Sequence, residues 1–207
     1  YESSFECVHR ENGAVTYSTL GFEQHYYGGN WLVTQDAATN RILRNLVSFF
    51  DGRDELRGKR IALVEQARPK TYSDQIVLPA LKALGYDVVH RATMSDDTGQ
   101  LGSQIPVEVN QMKAKGVAVA ITLLNPAAAG LVIPNADQQL FHPRWLFPDF
   151  NAGTDDLGPR LFPANTDAAG LTSLRAGEFR TGRPEPAYDA SCAARYNART
   201  TGKMAHY

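Results

Sequence analysis

Lys59-Arg60-Ile61-Ala62-Leu63-Val64-Glu65-Gln66 is the stretch that decides how this chain is read. Ile61–Gln66 is a nearly continuous apolar run entered from a basic turn, as a strand buried on both faces of a parallel sheet requires. Two more apolar runs, Val88–Val89 with their flanks and Val117–Leu124, follow at a similar spacing. Helix-like stretches of roughly ten to fifteen residues accompany them, which is the alternation of βαβ units. The expected fold class is α/β, a three-layer, Rossmann-like lobe with a mostly parallel sheet. Such sheets take ligands outside the carboxyl ends of their strands, where strand order reverses. Candidate functional residues are thereby confined to three loops, Gln66–Ser73, Leu124–Pro126 and Asp149–Asp156.

Working outward, the helices have legible faces. Ile42, Leu43, Leu46, Val47 and Phe50 share one face, with Asp36 or Thr39 as the cap and Asp51-Gly52 as the stop. A helix from about Asp74 to Leu84 buries Ile76, Val77, Ala80, Leu81 and Leu84. Pro79 either kinks it or marks its true start, and Gly85 ends it. Tyr86–Met94 reads as the second strand and Ser95–Gly102 as polar loop. Ile105, Val109 and Met112 mark the next helix, ended by Gly116. After the third strand, Asn125 is a cap and Pro126 a first helical residue, opening a helix over Ala127–Leu140 that is interrupted near Pro134. Arg144–Phe147 is a fourth short strand. Upstream, Val15–Leu20 reads as a short strand and Tyr26–Asn30 as a turn. Beyond Asp149, Gly and Pro dominate until a helical stretch at Tyr188–Thr200.

Composition narrows the class. A chain of 207 residues suits one domain, or one and a half small ones. Its formal net charge of −1 offers nothing for nucleic acid or an anionic membrane. No apolar stretch is long enough to span a bilayer. The chain begins at Tyr1 and reads as a processed product, its signal peptide removed, or as a fragment. Cys7 and Cys192, near opposite ends, are not spaced as a metal site or a redox pair. They are either two unpaired thiols or a disulfide that closes the chain, which would favour an extracytoplasmic location. There is no GxxxxGK[ST] loop, GxGxxG turn, GxSxG elbow or HExxH helix. His9, His25, His90, His142 and His206 are scattered and read as ordinary histidines. Neither metal nor cofactor is expected. A phospho-aspartate receiver domain also alternates β and α, but it needs an Asp at the end of the third strand, where this chain has Leu124-Asn125.

The order of segments points elsewhere. Asn30-Trp31-Leu32-Val33, Leu56-Arg57-Gly58-Lys59-Arg60-Ile61-Ala62-Leu63-Val64 and Tyr72-Ser73-Asp74 resemble the type 1 periplasmic solute-binding proteins, the fold of the leucine/isoleucine/valine receptors of ABC importers. Gln111–Val117, Asn125–Ala129, Pro143–Leu146 before Asp149, and the terminal Ala187–Gly202 continue the resemblance, which covers about two-thirds of the chain. It implies a two-lobed, non-enzymatic receptor that closes on a small amino-acid-like solute and hands it to a transporter permease. It also implies a periplasmic or extracellular location, with a membrane anchor allowed for in the full-length protein. Family members usually exceed three hundred residues, so the chain looks like the second lobe. Residues 1–35 would be a remnant of the first lobe and hinge, 36–153 the ligand-binding lobe, and 154–207 a hinge-bordering and C-terminal helical segment.

The resemblance also assigns site residues, each with a plainer reading beside it. Tyr72 would stack on or hydrogen-bond a ligand, or else pack on its helix start. Asn125 would cap its helix and also face the cleft, or else only cap it; in a lobe of this fold the loops Gln66–Ser73 and Leu124–Asn125 should meet at the strand reversal, and Gln66 is a further ligand-binding candidate. Asp149 would meet a ligand ammonium, or else stabilise the turn Asp149-Phe150-Asn151-Ala152-Gly153. Tyr17, Ser18 and Thr19 would offer hydroxyls to a ligand carboxylate, or else form an edge strand. The alternatives from other classes are an α/β enzyme lobe that binds a nucleotide or nucleotide-sugar, and a sensory ligand-binding ectodomain.

Overall fold

The structure is a computed structural model that describes residues 2–18, 32–34, 38–67, 72–148, 160–171 and 198. The chain divides into two compact units, Tyr1–Ser173 and Leu174–Tyr207. Every element described here belongs to the first. In chain order these are α1 (Glu2–Asn12), β1 (Thr16–Ser18), β2 (Leu32–Thr34), α2 (Thr39–Gly52) and β3 (Ile61–Gln66). A π-helical turn (Ser73–Val77) then runs into α3 (Leu78–Ala83), followed by β4 (Val88–Met94), α4 (Thr98–Ala114), β5 (Val119–Leu123), α5 (Pro126–Gln138), β6 (Arg144–Pro148) and β7 (Ala168–Leu171).

β3 to β7 form one all-parallel sheet in the order β4-β3-β5-β6-β7. Successive strands step from β3 to β4 in one direction and from β4 to β5 in the other. A right-handed crossover in each case forces the connecting helices onto opposite faces. Leu43, Leu46, Val47 and Phe50 of α2 and Leu81 of α3 accordingly pack with Ile61, Leu63, Val119, Ile121 and Leu146 on one face. Ile105, Val109 and Met112 of α4 and Val132, Ile133 and Ala136 of α5 pack with Ala62, Val64, Ala92, Ala120 and Trp145 on the other. The strict alternation Ile61/Leu63 against Ala62/Val64 is the period of two that a strand imposes. The three-layer α/β reading therefore holds. β1 and β2 form a separate two-stranded parallel sheet with Tyr17 opposite Val33.

Several local expectations need correction. The Pro79 irregularity is resolved by a widened turn: the backbone N–H of Leu78 reaches Ser73 O, five residues back, and Pro79 sits at the start of the regular helix, where its missing N–H is harmless. The helix thus begins at Tyr72, ahead of the expected Asp74. Ser95–Gly102 is not all loop. Asp97 caps α4 by accepting from the Gly99 N–H at 2.8 Å, and this lets helix begin through Gly99 and Gly102. α5 is not interrupted at Pro134, because buried Val132, Ile133 and Ala136 hold it on both sides. The α2 cap position is Ala38, with no side-chain bond; Thr39 is already helical, and Asp36 lies outside the described residues. α1 and β7 were not foreseen. Tyr188–Thr200, apart from Ala198, lies outside the described residues.

Candidate functional site

The strand order places its reversal between β3 and β5, whose chains leave the sheet toward opposite faces. Gln66, the last residue of β3, spans this point. Its Oε1 accepts the backbone N–H of Asn125 just beyond β5 at 3.1 Å, and its Nε2 donates to Asp96 Oδ1 beyond β4 at 3.4 Å. One side chain therefore links the carboxyl ends of three neighbouring strands. Asn125 Oδ1 in turn accepts the Ala128 N–H at 2.8 Å and caps α5, with Pro126 fitting the first turn. The loops Gln66–Ser73 and Leu124–Asn125 were expected to meet at this reversal, and the hydrogen bond between Gln66 and Asn125 is where they do.

Two backbone donors at this rim are already used. The Ala67 N–H goes to Met94 O at 2.8 Å and the Asn125 N–H to Gln66. Neither of these two amides is left for a phosphate.

A second polar cluster lies on the α2 face of the same edge, and the sequence reading missed it. Arg91 of β4 donates from Nε to Glu65 Oε1, from Nη1 to Asp74 Oδ1 at 2.6 Å, and from Nη2 to Ser73 Oγ at 2.8 Å. Thr93 also donates to Glu65 Oε1, at 3.3 Å. Glu65 is 2% exposed, and its Oε2 has no hydrogen-bond partner. The hydrogen bond to Glu65 is the main cause holding the Arg91 guanidinium above its ordinary pKa; burial opposes it and Asp74 reinforces it. The signal that could have found the cluster was two charges, Glu65 and Arg91, inside strands otherwise built for burial.

The remaining candidates separate. Tyr72 is buried in the α2-face core with Leu43, Val77 and Leu81. Tyr17 and Ser18 lie on β1, in the small sheet rather than the large one. Asp149, Thr19 and Cys192 lie outside the described residues, and Cys7 carries an exposed free thiol. His90 is buried on the α4 side, with Nε2 at 2.7 Å from Glu108 Oε2 and Nδ1 at 2.9 Å from Lys115 Nζ. Among the described residues no group of three or more His, Cys, Asp or Glu could hold a metal ion.

No known protein family matches this sequence, and no curated protein matches it either. Solved structures do. A protein from Rhodospirillum rubrum assigned to branched-chain amino acid ABC transport aligns with a TM-score of 0.61 at 13% identity, over 93% of this chain and 52% of its own. An extracellular ligand-binding receptor from Verminephrobacter eiseniae aligns at 0.58 and 13% identity, over 94% and 52%. A fatty acid ABC transporter substrate-binding protein from Thermomonospora curvata aligns at 0.56 and 13% identity, over 76% and 40%. The fold is that of the type 1 periplasmic solute-binding proteins. This chain spans about half the length, or less, of the type 1 proteins it matches. Among the described residues no helix is long and apolar enough to cross a membrane.

Proposed function

We propose that this chain is the second lobe of an extracytoplasmic solute receptor for an ABC importer, binding a small amino-acid-like solute and presenting it to a permease. The observation that carries this reading is the β3/β5 reversal, where Gln66 and Asn125 form a side-chain-lined edge in a chain of type 1 fold. The mechanism is hinge closure, in which contacts to both lobes favour the bound state. Residues 1–35 supply the remnant of the first lobe and hinge, 36–153 the ligand-binding lobe, and 154–207 the hinge-bordering tail. Asp149, Tyr17, Ser18 and Tyr72 complete the candidate ligand set with Gln66 and Asn125. The cargoes named for the solved structures differ, a branched-chain amino acid in one and a fatty acid in another, so the fold alone does not choose the solute.

The test is a thermal-shift and calorimetric screen of amino acids, amides and aromatic acids on this chain and on a version carrying both lobes. The two-lobed version should bind at least one of them, and the single chain should bind the same solute only weakly. Tight stoichiometric binding by the single chain would remove the closure mechanism. Silence from the two-lobed version across the whole screen would remove the receptor reading.

A further inference from the structure

We propose that Lys115 is a self-acylating lysine: an exposed amine whose proton His90 takes, in a relay completed by Glu108 and directed at activated acyl esters. Lys115 Nζ lies 2.9 Å from His90 Nδ1, and His90 Nε2 lies 2.7 Å from Glu108 Oε2. A nucleophile within hydrogen-bond reach of a base, with the base oriented by a third group, is the arrangement that covalent catalysis uses. The fold assembles it from three places. His90 comes from β4, opposite Ala62 of β3, Glu108 comes from within α4, and Lys115 caps the end of α4.

The partners fix which ring nitrogen is free. A carboxylate only accepts, so the contact with Glu108 requires the imidazole proton on Nε2. Nδ1 then keeps its lone pair and accepts from Lys115. Lys115 is held in place as well as paired. Arg60 Nε donates to its carbonyl, and its own N–H points back to Gln111 O and Lys113 O. Burial divides the roles: His90 is buried, whereas Lys115 is exposed and meets a reagent. Lys113, two residues earlier, shows the ordinary alternative. Its Nζ donates to the Gln139 carbonyl at 2.6 Å, an acceptor that takes no proton.

The reaction involves no bound solute, so it is independent of the receptor reading. Once the amine has released its extra proton to solvent, the Nζ lone pair attacks the ester carbonyl carbon. A second proton passes from Nζ to His90 Nδ1 as the carbonyl π pair moves to oxygen. Glu108 holds the imidazolium so formed. Collapse of the oxyanion expels the alkoxide, which takes the proton back from Nδ1. One N–C bond forms, one C–O bond breaks, an alcohol leaves, and Lys115 ends as an amide.

The experiment treats the whole chain with p-nitrophenyl acetate and follows each lysine by mass spectrometry of a chymotryptic digest. Lys113 is one internal standard. Lys59 and Lys82, also exposed and without an imidazole partner among the described residues, are the others. Lys115 should acetylate about tenfold or more faster than any of them, well within what a placed base supplies. His90→Gln, which can hydrogen-bond but cannot act as the base, should bring Lys115 down to the standards and leave their rates unchanged. Glu108 acts through His90 as a positioning residue, and its readout is the imidazole tautomer. Heteronuclear NMR spectra should show His90 as the Nε2–H tautomer. Glu108→Gln should lose that preference and slow Lys115 alone. Equal acetylation of the four lysines in the wild type would overturn the proposal, as would an Nδ1–H tautomer of His90. An undiminished Lys115 rate in folded His90→Gln would overturn the role of the base, and an unchanged tautomer and rate in Glu108→Gln would remove Glu108 from the relay. The wild-type rates and tautomer decide the proposal even where His90→Gln fails to fold.

Discussion

Asn125 and Gln66 touch, yet their contributions to stability should add. The Gln66 Oε1 bond is made to the backbone N–H of Asn125, whereas the cap is made by the Asn125 side chain. Asn125→Ala removes only the cap and should cost about 1 kcal/mol. For a domain of this size that corresponds to about 2–4 °C in Tm. Asn125→Asp keeps an acceptor and adds a negative charge at the start of α5, so it should match the wild type or gain a few tenths of a kcal/mol. Gln66→Ala leaves the half-buried Asn125 N–H without its acceptor and should cost about 1–2 kcal/mol. The double variant should therefore lose about 2–3 kcal/mol, with a coupling below about 0.5 kcal/mol. Urea unfolding followed by tryptophan fluorescence suits the measurement, because Trp145 is buried on β6 and reports on the sheet. A coupling above about 1 kcal/mol would show that the Asn125 side chain, not its backbone, carries the link to Gln66 and would refute the reasoning.

Three other outcomes are expected. Hydrogen bonding from Arg144 holds the Glu55 carboxyl below its ordinary pKa, with burial opposing it and Arg53 assisting. A depressed folded-state value means stability that is present above the unfolded value and lost as pH falls through the folded one. Calorimetric scans should therefore show Glu55→Gln less stable at pH 7 and less sensitive to acid between roughly pH 5 and 3 than the wild type. Parallel acid profiles would count against it. Leu140 is 77% exposed with φ of 53°, a left-handed conformation that costs a branched residue about 1–2 kcal/mol. Leu140→Gly should therefore raise Tm despite the added freedom of the unfolded chain, and a fall in Tm would contradict this. Cys7 should react with a thiol reagent in the native, unreduced protein; reaction only after reduction, with a disulfide-linked Cys7–Cys192 peptide in the unreduced digest, would instead establish their pairing.

Where the local sequence pattern settles an element, the residues were readable one by one. Ile61–Gln66 is bounded as expected, since no polar residue interrupts Ile61–Val64 and Gly58 precedes them. Asn125 caps α5 as its residue type suggests, because capping is settled within four residues. β7 escaped notice for the opposite reason. Ala168-Ala169-Gly170-Leu171 has no β-branched or aromatic residue and is held as a strand by pairing with β6 at the sheet edge. Pro134 misled, whereas Pro79 marks the start of the regular helix, one of its two expected readings. A local rule places a break at Pro134, while burial on both sides carries the helix through; what the sequence did not show at Pro79 is the π-helical turn ahead of it.

The candidate site divides along the same line. Alternation of apolar runs and helical faces by itself determined an α/β lobe. The resemblance to the type 1 fold implied that the loops Gln66–Ser73 and Leu124–Asn125 meet where strand order reverses, and the structure supplies the contact between Gln66 and Asn125. Only the tertiary structure decided that Arg91, twenty-six residues after Glu65 in the chain, would bind it and hold Ser73 and Asp74 as well. It likewise decided that Tyr72 would lie in the core. Periodicity records which face a side chain takes, because that follows from the backbone repeat. Which charge finds which partner depends on the register between β3 and β4 and on where the packed turn Ser73–Val77 lies beside them.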